Sequence, residues 1–424
     1  MSDFPFIITP VSLQEFYLRF MLLNKPCILG QWITEGWLAR RLWCNTNGDI
    51  DIDRIFQPFP RDQILCVGDC SRLEFDAHPS IEMTVDDYLT YWRDFHQGND
   101  GRTLYLKDWH YFKATDTEYY QVPILFMSDW MNEFWRVRPD VRDDFRFVYL
   151  GTKGTWTPLH ADVYHSYSWS ANICGTKRWW FLPPGEETKL KYNGRVPSDI
   201  RDVQLDNGDI NYIQIDQHPG QAVFVPSGWY HQVVNLTDCL SINHNWFNAT
   251  NVNWVWQHLQ NQLVAVETST EDVRDTPGWR EQCQICLRAL AGIDYFEYAL
   301  LLKYILLTRW PENDGLPSSN FQSLIEEDAG APDQLSSLSN KIDHELIQLF
   351  RREPHHLKLI REKPKCWMEL IPEMVTDCKQ ELPAWVRLHD FVSAFESLRL
   401  VSQNSIVKAL KLVSEPLYSM LNFE

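Results

Sequence analysis

Three residues of metal-binding types, His160, Asp162 and His231, occur in a part of the chain that is rich in strand patterns. Two histidines and one carboxylate leave coordination positions open for other ligands, which is typical of non-heme Fe(II) oxygenases. In a β-strand, residues i and i+2 point to the same face and lie roughly 6.6 Å apart along the chain, so His160 and Asp162 are expected to converge. His231 follows a tight PSG turn at 226–228 and can lie on a neighbouring strand of a closed barrel.

The combination of features carries this prediction, because an HxD tripeptide alone is usually a chance pattern and a lone histidine is usually part of the core. Lys177 follows Asp162 within the same strand-rich region, and His231 belongs to a GWYH segment. A zinc hydrolase would need a third histidine or an HExxH helix, and neither pattern occurs at the right place. The nearby His165 and His244 are predicted to be structural or to support the ligands, because His165 lies on the opposite strand face or in the following turn and His244 is out of phase with Asn243 and Asn245.

Lys177 also suggests an organic acid as co-substrate. A buried carboxylate without a partner is costly, so a site that binds one must supply a cation and further hydrogen-bonding groups. Alone, Lys177 would be interpreted as a solvated turn cation, whereas beside a metal site an inward ammonium suits the distal carboxylate of 2-oxoglutarate. Arg178 has the opposite strand phase and is expected to face outward. Further candidates to bind the co-substrate are Thr157, Tyr105, Asn243 and Asn245.

Short strands between Thr103 and Phe247 are the elements that must position these residues. The segments there are rich in β-branched or aromatic residues and are bounded by Gly, Pro or Asn turns. They predict a closed or nearly closed antiparallel double-sheet barrel of the cupin or jelly-roll type. We therefore assign residues 101–250 to a catalytic barrel.

The regions on either side of the barrel have different patterns. Residues 1–100 mix helical and extended segments, with Ser12 and Thr84 as predicted helix caps, and form an N-terminal α/β flank of the barrel. Long stretches with helical apolar spacing predict a C-terminal helical region over residues 251–424. Because so many apolar faces must be buried, this region is expected to support the barrel or to form a docking or dimer surface.

The composition narrows the possible partners and location. Hydrophobic residues form 44% of the chain and charged residues 23%, which is typical of a globular protein. The formal net charge of −18 disfavours nucleic acid as a partner and favours a cationic one, although solubility alone also accounts for an acidic balance. The ten cysteines show no disulfide spacing, and neither a signal peptide nor a membrane-spanning segment is predicted, so a cytoplasmic location is expected.

At these motifs the chain resembles the JmjC family of 2-oxoglutarate oxygenases. The resemblance covers about residues 1–250 and is carried by TPLHAD, SYSWSANICGTKRWWFLPP, PGQAVFVPSGWYHQVVN and SINHNWF. It implies Fe(II) at His160, Asp162 and His231, and 2-oxoglutarate at Lys177 with the hydroxyl and amide residues named above. It also implies O2 as co-substrate, with ascorbate as an aid. The fold implied is α+β: a double-stranded β-helix flanked by N-terminal helices and a C-terminal helical region.

The chain is similar in particular to family members that hydroxylate lysine. This resemblance implies C–H hydroxylation of a lysine in a peptide-chain release factor, coupled to the conversion of 2-oxoglutarate to succinate and carbon dioxide. Two alternatives stay open, an N-methyl-lysine demethylase and an inert scaffold whose helical region binds partners. Neither a zinc-binding reader module nor a basic targeting stretch accompanies the barrel, which disfavours a chromatin demethylase. The complete His–Asp–His set with Lys177 disfavours the inert scaffold.

Overall fold

The structure is a computed structural model, and it divides into two compact units. The barrel unit comprises Met1–Phe126 and Phe145–Asn245, and the helical unit comprises Met127–Asp144 and Trp246–Glu424. The residues that the structure describes are 4–113, 115, 117–138, 144–190, 195–203, 205, 209–309, 334–352 and 382–422.

Two β-sheets form the barrel unit. Their strands, within the described ranges, are β1 (Phe6–Ile7), β2 (Cys27–Leu29), β3 (Ile64–Asp69), β4 (Ser80–Thr84), β5 (Leu104–Trp109), β6 (Arg146–Gly151), β7 (Trp156–His160), β8 (Tyr167–Cys174), β9 (Lys177–Leu182), β10 (Ile213–Gln217), β11 (Ala222–Val225), β12 (Tyr230–Asn235) and β13 (Cys239–Trp246). The larger sheet has the order β1, β2, β11, β8, β13, β6, β5, β3, β4, and the smaller sheet has the order β10, β9, β12, β7. β1 and β2 are parallel, whereas the pairs β2–β11, β11–β8, β13–β6, β6–β5, β5–β3, β3–β4, β10–β9, β9–β12 and β12–β7 are antiparallel. The predicted double-stranded β-helix is therefore confirmed.

Alternating apolar side chains from the two sheets fill the interior of the barrel. Val223 and Val225 of β11 pack in one cluster with Trp179 and Phe181 of β9 and with Val233 of β12. All five are β-branched or aromatic, and the two members in β11, like the two in β9, are two positions apart and so share one face of their strand. This cluster holds the two sheets in contact and leaves the polar inward residues to form a site.

Short helices flank the sheets, and two of them begin at the caps that the sequence predicts. They are α1 (Leu13–Phe16), α2 (Leu38–Leu42), α3 (Ile52–Phe56) and α4 (Val85–Gln97), and a π-helical turn over Tyr17–Met21 continues α1. The Ser12 side chain accepts a hydrogen bond from the Glu15 backbone N–H, and Thr84 and Asp87 form a reciprocal capping box. Both caps predicted from the sequence are confirmed.

The helical unit has a strongly apolar core with buried ion pairs. Its described helices are α5 (Trp130–Val137), α6 (Val252–Ser269), α7 (Trp279–Ala291), α8 (Tyr295–Thr308), α9 (Gln334–Arg352), α10 (Ala384–Gln403), α11 (Ser405–Ala409) and α12 (Glu415–Asn422). Arg309 contacts Glu133 at 2.6 Å and Asp390 at 3.1 Å, and Lys303 of α8 contacts Asp343 of α9 at 2.8 Å. These charges are paired inside the core, where an unpaired charge would be very costly. Among the described helices, none has the length and apolar character needed to cross a bilayer.

Helix α5 belongs to the helical unit although it lies between two strands of the barrel in the sequence. Trp130 and Phe134 are buried, and the backbone N–H of Trp130 donates to the carbonyl of Phe247 at 3.0 Å. The side chain of Asn248 donates to the carbonyl of Ser128 at 3.2 Å. The chain thus contributes residues 127–144 to the helical unit before it returns to complete the barrel.

A disulfide joins Cys44, after α2, to Cys174, at the end of β8. The sequence did not predict it, because 130 residues separate the two cysteines and the spacing of the ten cysteines has no regular framework. Only the folded barrel unit brings the two sulfurs together. The described free cysteines are Cys27, Cys66, Cys70, Cys239, Cys283 and Cys286.

Truncation of the chain after Asn251 is expected to give an insoluble or unstable product. It removes Arg309 and α8, so the buried face of α5 and the Glu133 carboxylate lose their partners. Soluble yield and thermal melting, compared with the full-length chain expressed in parallel, measure the effect. A truncated protein that stays folded and fully active would show that the helical unit is an independent module.

Candidate metal centre

Strands β7 and β12 bring the three predicted ligands together. His160 is the last residue of β7 and pairs directly with His231 of β12. Asp162 lies just beyond the end of β7, not within it as the sequence predicted, but its backbone is still extended (φ −61°, ψ 154°). One ligand atom from each residue lies within 4.8 Å of the other two. A single metal ion can therefore contact all three.

Backbone carbonyls fix both histidine rings in the form that binds metals. Nδ1 of His160 is 2.7 Å from the carbonyl oxygen of Pro158, and Nδ1 of His231 is 3.1 Å from that of Trp229. A neutral imidazole that donates from Nδ1 presents the Nε2 lone pair, which a metal ion accepts. Burial, assisted by the nearby His160, lowers the pKa of His231 to about 4, so this ring is neutral at physiological pH.

Two side chains orient the Asp162 carboxylate. Ser168 donates to Oδ2 at 2.7 Å, and Asn245 donates to Oδ1 at 2.9 Å. The turn that follows contains two non-glycine residues with positive φ, Tyr164 at 58° and His165 at 52°. Such a conformation costs free energy and persists only where surrounding contacts enforce it, which is common at functional sites. His165 thus lies in the turn after the ligands.

Lys177 forms a buried cationic site on the inner face of the smaller sheet. Its side chain is 2% exposed, and Nζ lies 3.2 Å from the Tyr105 hydroxyl and 3.1 Å from Oδ1 of Asn235. Asn235 is in turn held by Thr155, to which it donates at 2.8 Å. Since both hydrogen-bond partners of the ammonium are neutral, an organic anion would balance its charge. The residue types fit the distal carboxylate of 2-oxoglutarate.

The other sequence candidates lie on the inner face but make different contacts. Thr157 accepts a hydrogen bond from the Val233 backbone at 3.2 Å, and Asn243 donates to Ser241 at 3.0 Å. Asn245 contacts Asp162, so the structure associates it with the metal ligands. Their roles in binding the co-substrate remain predictions.

Asn235, Ser168 and Thr155 are functional candidates that the sequence analysis missed. Asn235 has the strand phase of His231 and pairs with Lys177 in the register of β12 and β9. The phase rule that selected Asn243 could have found it. Ser168 could have been found only after the strand partners of β8 were known.

Arg178 and His244 face away from the centre, as the sequence predicts. Arg178 forms an ion pair with Asp216 at 2.8 Å, with both side chains about one-third exposed. His244 stacks on Trp169 with ring centroids 4.2 Å apart, and its Nε2 is 2.5 Å from the Tyr120 hydroxyl. Both placements follow the alternation of strand faces.

A His–Asp–His set with open coordination positions, inside a double-stranded β-helix, is the arrangement of non-heme Fe(II) oxygenases. Comparison with known proteins agrees, because residues 147–246 match the family model described as JmjC domain, hydroxylase. A mouse protein, 2-oxoglutarate and iron-dependent oxygenase JMJD4, is 41% identical over 323 residues, which are 72% of this chain and 75% of the relative. Its human counterpart is 40% identical over 308 residues, 69% of this chain and 73% of the relative. The chain belongs to the JmjC family of 2-oxoglutarate and iron-dependent oxygenases.

A plant relative is named for a different activity. The protein named arginine-specific demethylase JMJ20 from Arabidopsis thaliana is 37% identical over 316 residues, 69% of this chain and 67% of the relative. Similar chains therefore carry both oxygenase and demethylase names.

Proposed function

We propose that this protein hydroxylates a lysine side chain in a protein substrate and that this substrate is a peptide-chain release factor. The observation that carries the oxygenase part is the His160–Asp162–His231 group in the same barrel as the buried Lys177 ammonium. The sequence motifs resemble those of lysyl hydroxylases in the family. The net charge of −18 supports a cationic substrate, because opposite charge favours encounter.

The metal cofactor is Fe(II), and the co-substrates are 2-oxoglutarate and O2, as in the family. When bound, the metal supplies the binding and reduction of O2. One oxygen atom enters the substrate C–H bond to give an alcohol, and the other enters succinate as carbon dioxide leaves. The four electrons that O2 accepts come from 2-oxoglutarate and from the substrate, two from each.

The residues of the chain hold and orient these components. His160 and His231 present Nε2 because their Nδ1 atoms donate to carbonyls, and Asp162 is held by Ser168 and Asn245. Lys177 provides the positive charge for the distal carboxylate of the co-substrate.

We further propose a cytoplasmic location and a homodimer formed through the helical unit. An interaction surface on α6 and α7 is supported by three exposed apolar side chains, Val264, Ile285 and Leu290. Because disulfides are rare in a reducing compartment, a cytoplasmic location requires the Cys44–Cys174 bond to form only transiently there, with both cysteines otherwise reduced. Microscopy of the tagged protein and analytical ultracentrifugation test these two proposals.

Incubation of the protein with recombinant release factor, iron, ascorbate and 2-oxoglutarate is expected to add one oxygen to one lysine. The mass gain of one oxygen atom is mapped by peptide mass spectrometry, and succinate release should match it in amount. Omission of 2-oxoglutarate is the control. No mass gain at any lysine would contradict the proposed substrate.

The second candidate function is removal of an N-methyl group. The Arabidopsis relative named as an arginine-specific demethylase supports it. The chemistry would be the same up to hydroxylation of the methyl group, after which the product releases formaldehyde. Methylated lysine and arginine peptides, tested in the same assay, would lose the mass of a methylene group. That loss, without oxygen gain on the release factor, would favour demethylation.

A further inference from the structure

A row of aromatic side chains runs along the inner face of the larger sheet beside the metal ligands. Phe145, Phe147 and Tyr149 are separated by two positions, and successive ring centroids are 6.4 Å apart. Phe147 and Tyr149 pair with Asn243 and Ser241 of β13. Residues directly opposite on paired strands share a face, so this aromatic row lies on the same face as Asn245, which contacts Asp162.

The aromatic row continues to the co-substrate site. The Tyr149 ring centroid lies 5.9 Å from that of Tyr105, whose hydroxyl contacts Lys177. Burial and the adjacent Asp108 carboxylate, with a smaller effect of the Asp162 carboxylate, raise the pKa of the Tyr149 phenol well above its ordinary value. Tyr149 therefore stays protonated and lies within electrostatic reach of a metal ligand. The aromatic row therefore extends from the metal ligands to the co-substrate site at Lys177.

An irregularity in β5 places a carboxylate at the end of this row. The register of β5 against β6 shifts between Leu106 and Trp109, and Asp108 within this shift has a φ of 54°. A bulge of this kind redirects side chains and often lies next to an active site. Here the Tyr149 hydroxyl donates to Oδ1 of Asp108, and about half of the Asp108 side chain is exposed.

The Asp108 carboxylate already forms an ion pair with one ammonium group, that of the neighbouring Lys107. Nζ of Lys107 lies 3.5 Å from Oδ2 of Asp108, and the Lys107 side chain is 28% exposed. A second ammonium can approach from the solvent side, where the carboxylate is open. The aromatic rings beside it suit the methylene chain and the cation of a long basic side chain.

We propose that the Asp108 carboxylate receives the ammonium group of the substrate lysine, whose methylene chain lies along the aromatic row. This inference rests on the proposed lysyl hydroxylation and adds the residue that selects a cationic side chain. An uncharged side chain of equal length would contact the aromatic row alone. Asp108 is thus a specificity-determining residue, and Tyr149 positions it.

The test compares a lysine peptide with a norleucine peptide, which lacks only the ammonium group. Both are fluorescein-labelled, share glycine–serine flanks, and are titrated by anisotropy against the protein with iron and 2-oxoglutarate under nitrogen. Asp108→Asn is the main variant, because asparagine also tolerates a positive φ and removes only the charge. We expect this variant to bind the lysine peptide about tenfold more weakly, because one hydrogen bond between charged groups is lost. Binding of the norleucine peptide should be unchanged.

Asp76→Asn is the matched control, because Asp76 also has a positive φ, 65°, and lies on an exposed turn. It should change neither affinity. Tyr149→Phe, which keeps the ring, should weaken lysine-peptide binding by a smaller factor, and unchanged melting temperatures should accompany both site variants. Equal affinity of wild-type protein for the two peptides, or an unaltered lysine preference in Asp108→Asn, would overturn the inference. Since binding needs no turnover, this result is separate from the release-factor assay.

Discussion

Replacement of His160 by alanine is expected to abolish both stoichiometric iron binding and turnover. The residue supplies one of three protein ligands, and its Nδ1 contact with Pro158 fixes the ring so that Nε2 points to the metal. With two ligands left, no facial set of three remains to hold the ion. Metal content after anaerobic loading and gel filtration, together with succinate production, gives the measurement.

His218→Ala is the control for this change, because His218 is exposed and lies at the end of β10, away from the ligand group. It should keep full iron content and activity. The assignment of His160 would be wrong if the His160→Ala protein kept one iron per chain. Binding of zinc, manganese or nickel by the wild-type protein would not argue against it, since affinity for divalent ions is not very selective for iron.

Replacement of Lys177 by alanine is expected to raise the 2-oxoglutarate requirement by roughly hundredfold, which corresponds to about 3 kcal/mol. The distal carboxylate would then be buried beside the neutral Tyr105 and Asn235, without a cation. The KM for 2-oxoglutarate and the direct affinity under nitrogen are the quantities to measure. Iron content should change little, because the Lys177 ammonium donates to Tyr105 and Asn235, neither of which is a metal ligand.

Arg178→Ala gives the matched comparison, since it removes the same charge from the adjacent position. Arg178 pairs with Asp216 on the outer face, so its loss should leave the 2-oxoglutarate requirement near the wild-type value. Equal co-substrate affinity in the Lys177→Ala and wild-type proteins would show that another residue binds the acid. A rise in both variants would point to a loss of fold instead, which thermal melting would reveal.

Much of the barrel could be predicted because strand periodicity is local. All strands from β5 to β13 lie in the region between Thr103 and Phe247 where the sequence predicts short strands. The same rule placed Arg178 outside and His231 inside. The helices after Val252 were also predicted, because an apolar repeat with helical spacing does not depend on what lies next to it.

Features that depend on distant parts of the chain could not be predicted. Asn235 becomes a partner of Lys177 only through the register of β12 against β9, and Cys44 meets Cys174 only in the folded sheet. The bulge that brings Asp108 to the Tyr149 hydroxyl has no turn-type sequence such as Asn-Gly or Asp-Gly to mark it. Asp162 falls just outside β7, because hydrogen bonding of that strand stops at His160 while the backbone stays extended.

The membership of α5 in the helical unit has a consequence for synthesis of the protein. Glu133 and its partner Arg309 are separated by 176 residues. At a translation rate of about 5–20 residues per second, α5 leaves the ribosome roughly 10–35 s before that partner is made. During this interval its aromatic face, with Trp130 and Phe134, has no native cover and is a binding site for chaperones. Substitutions in α8 that delay docking of α5 would therefore lower the yield of soluble protein in cells more than they lower the activity of the folded enzyme.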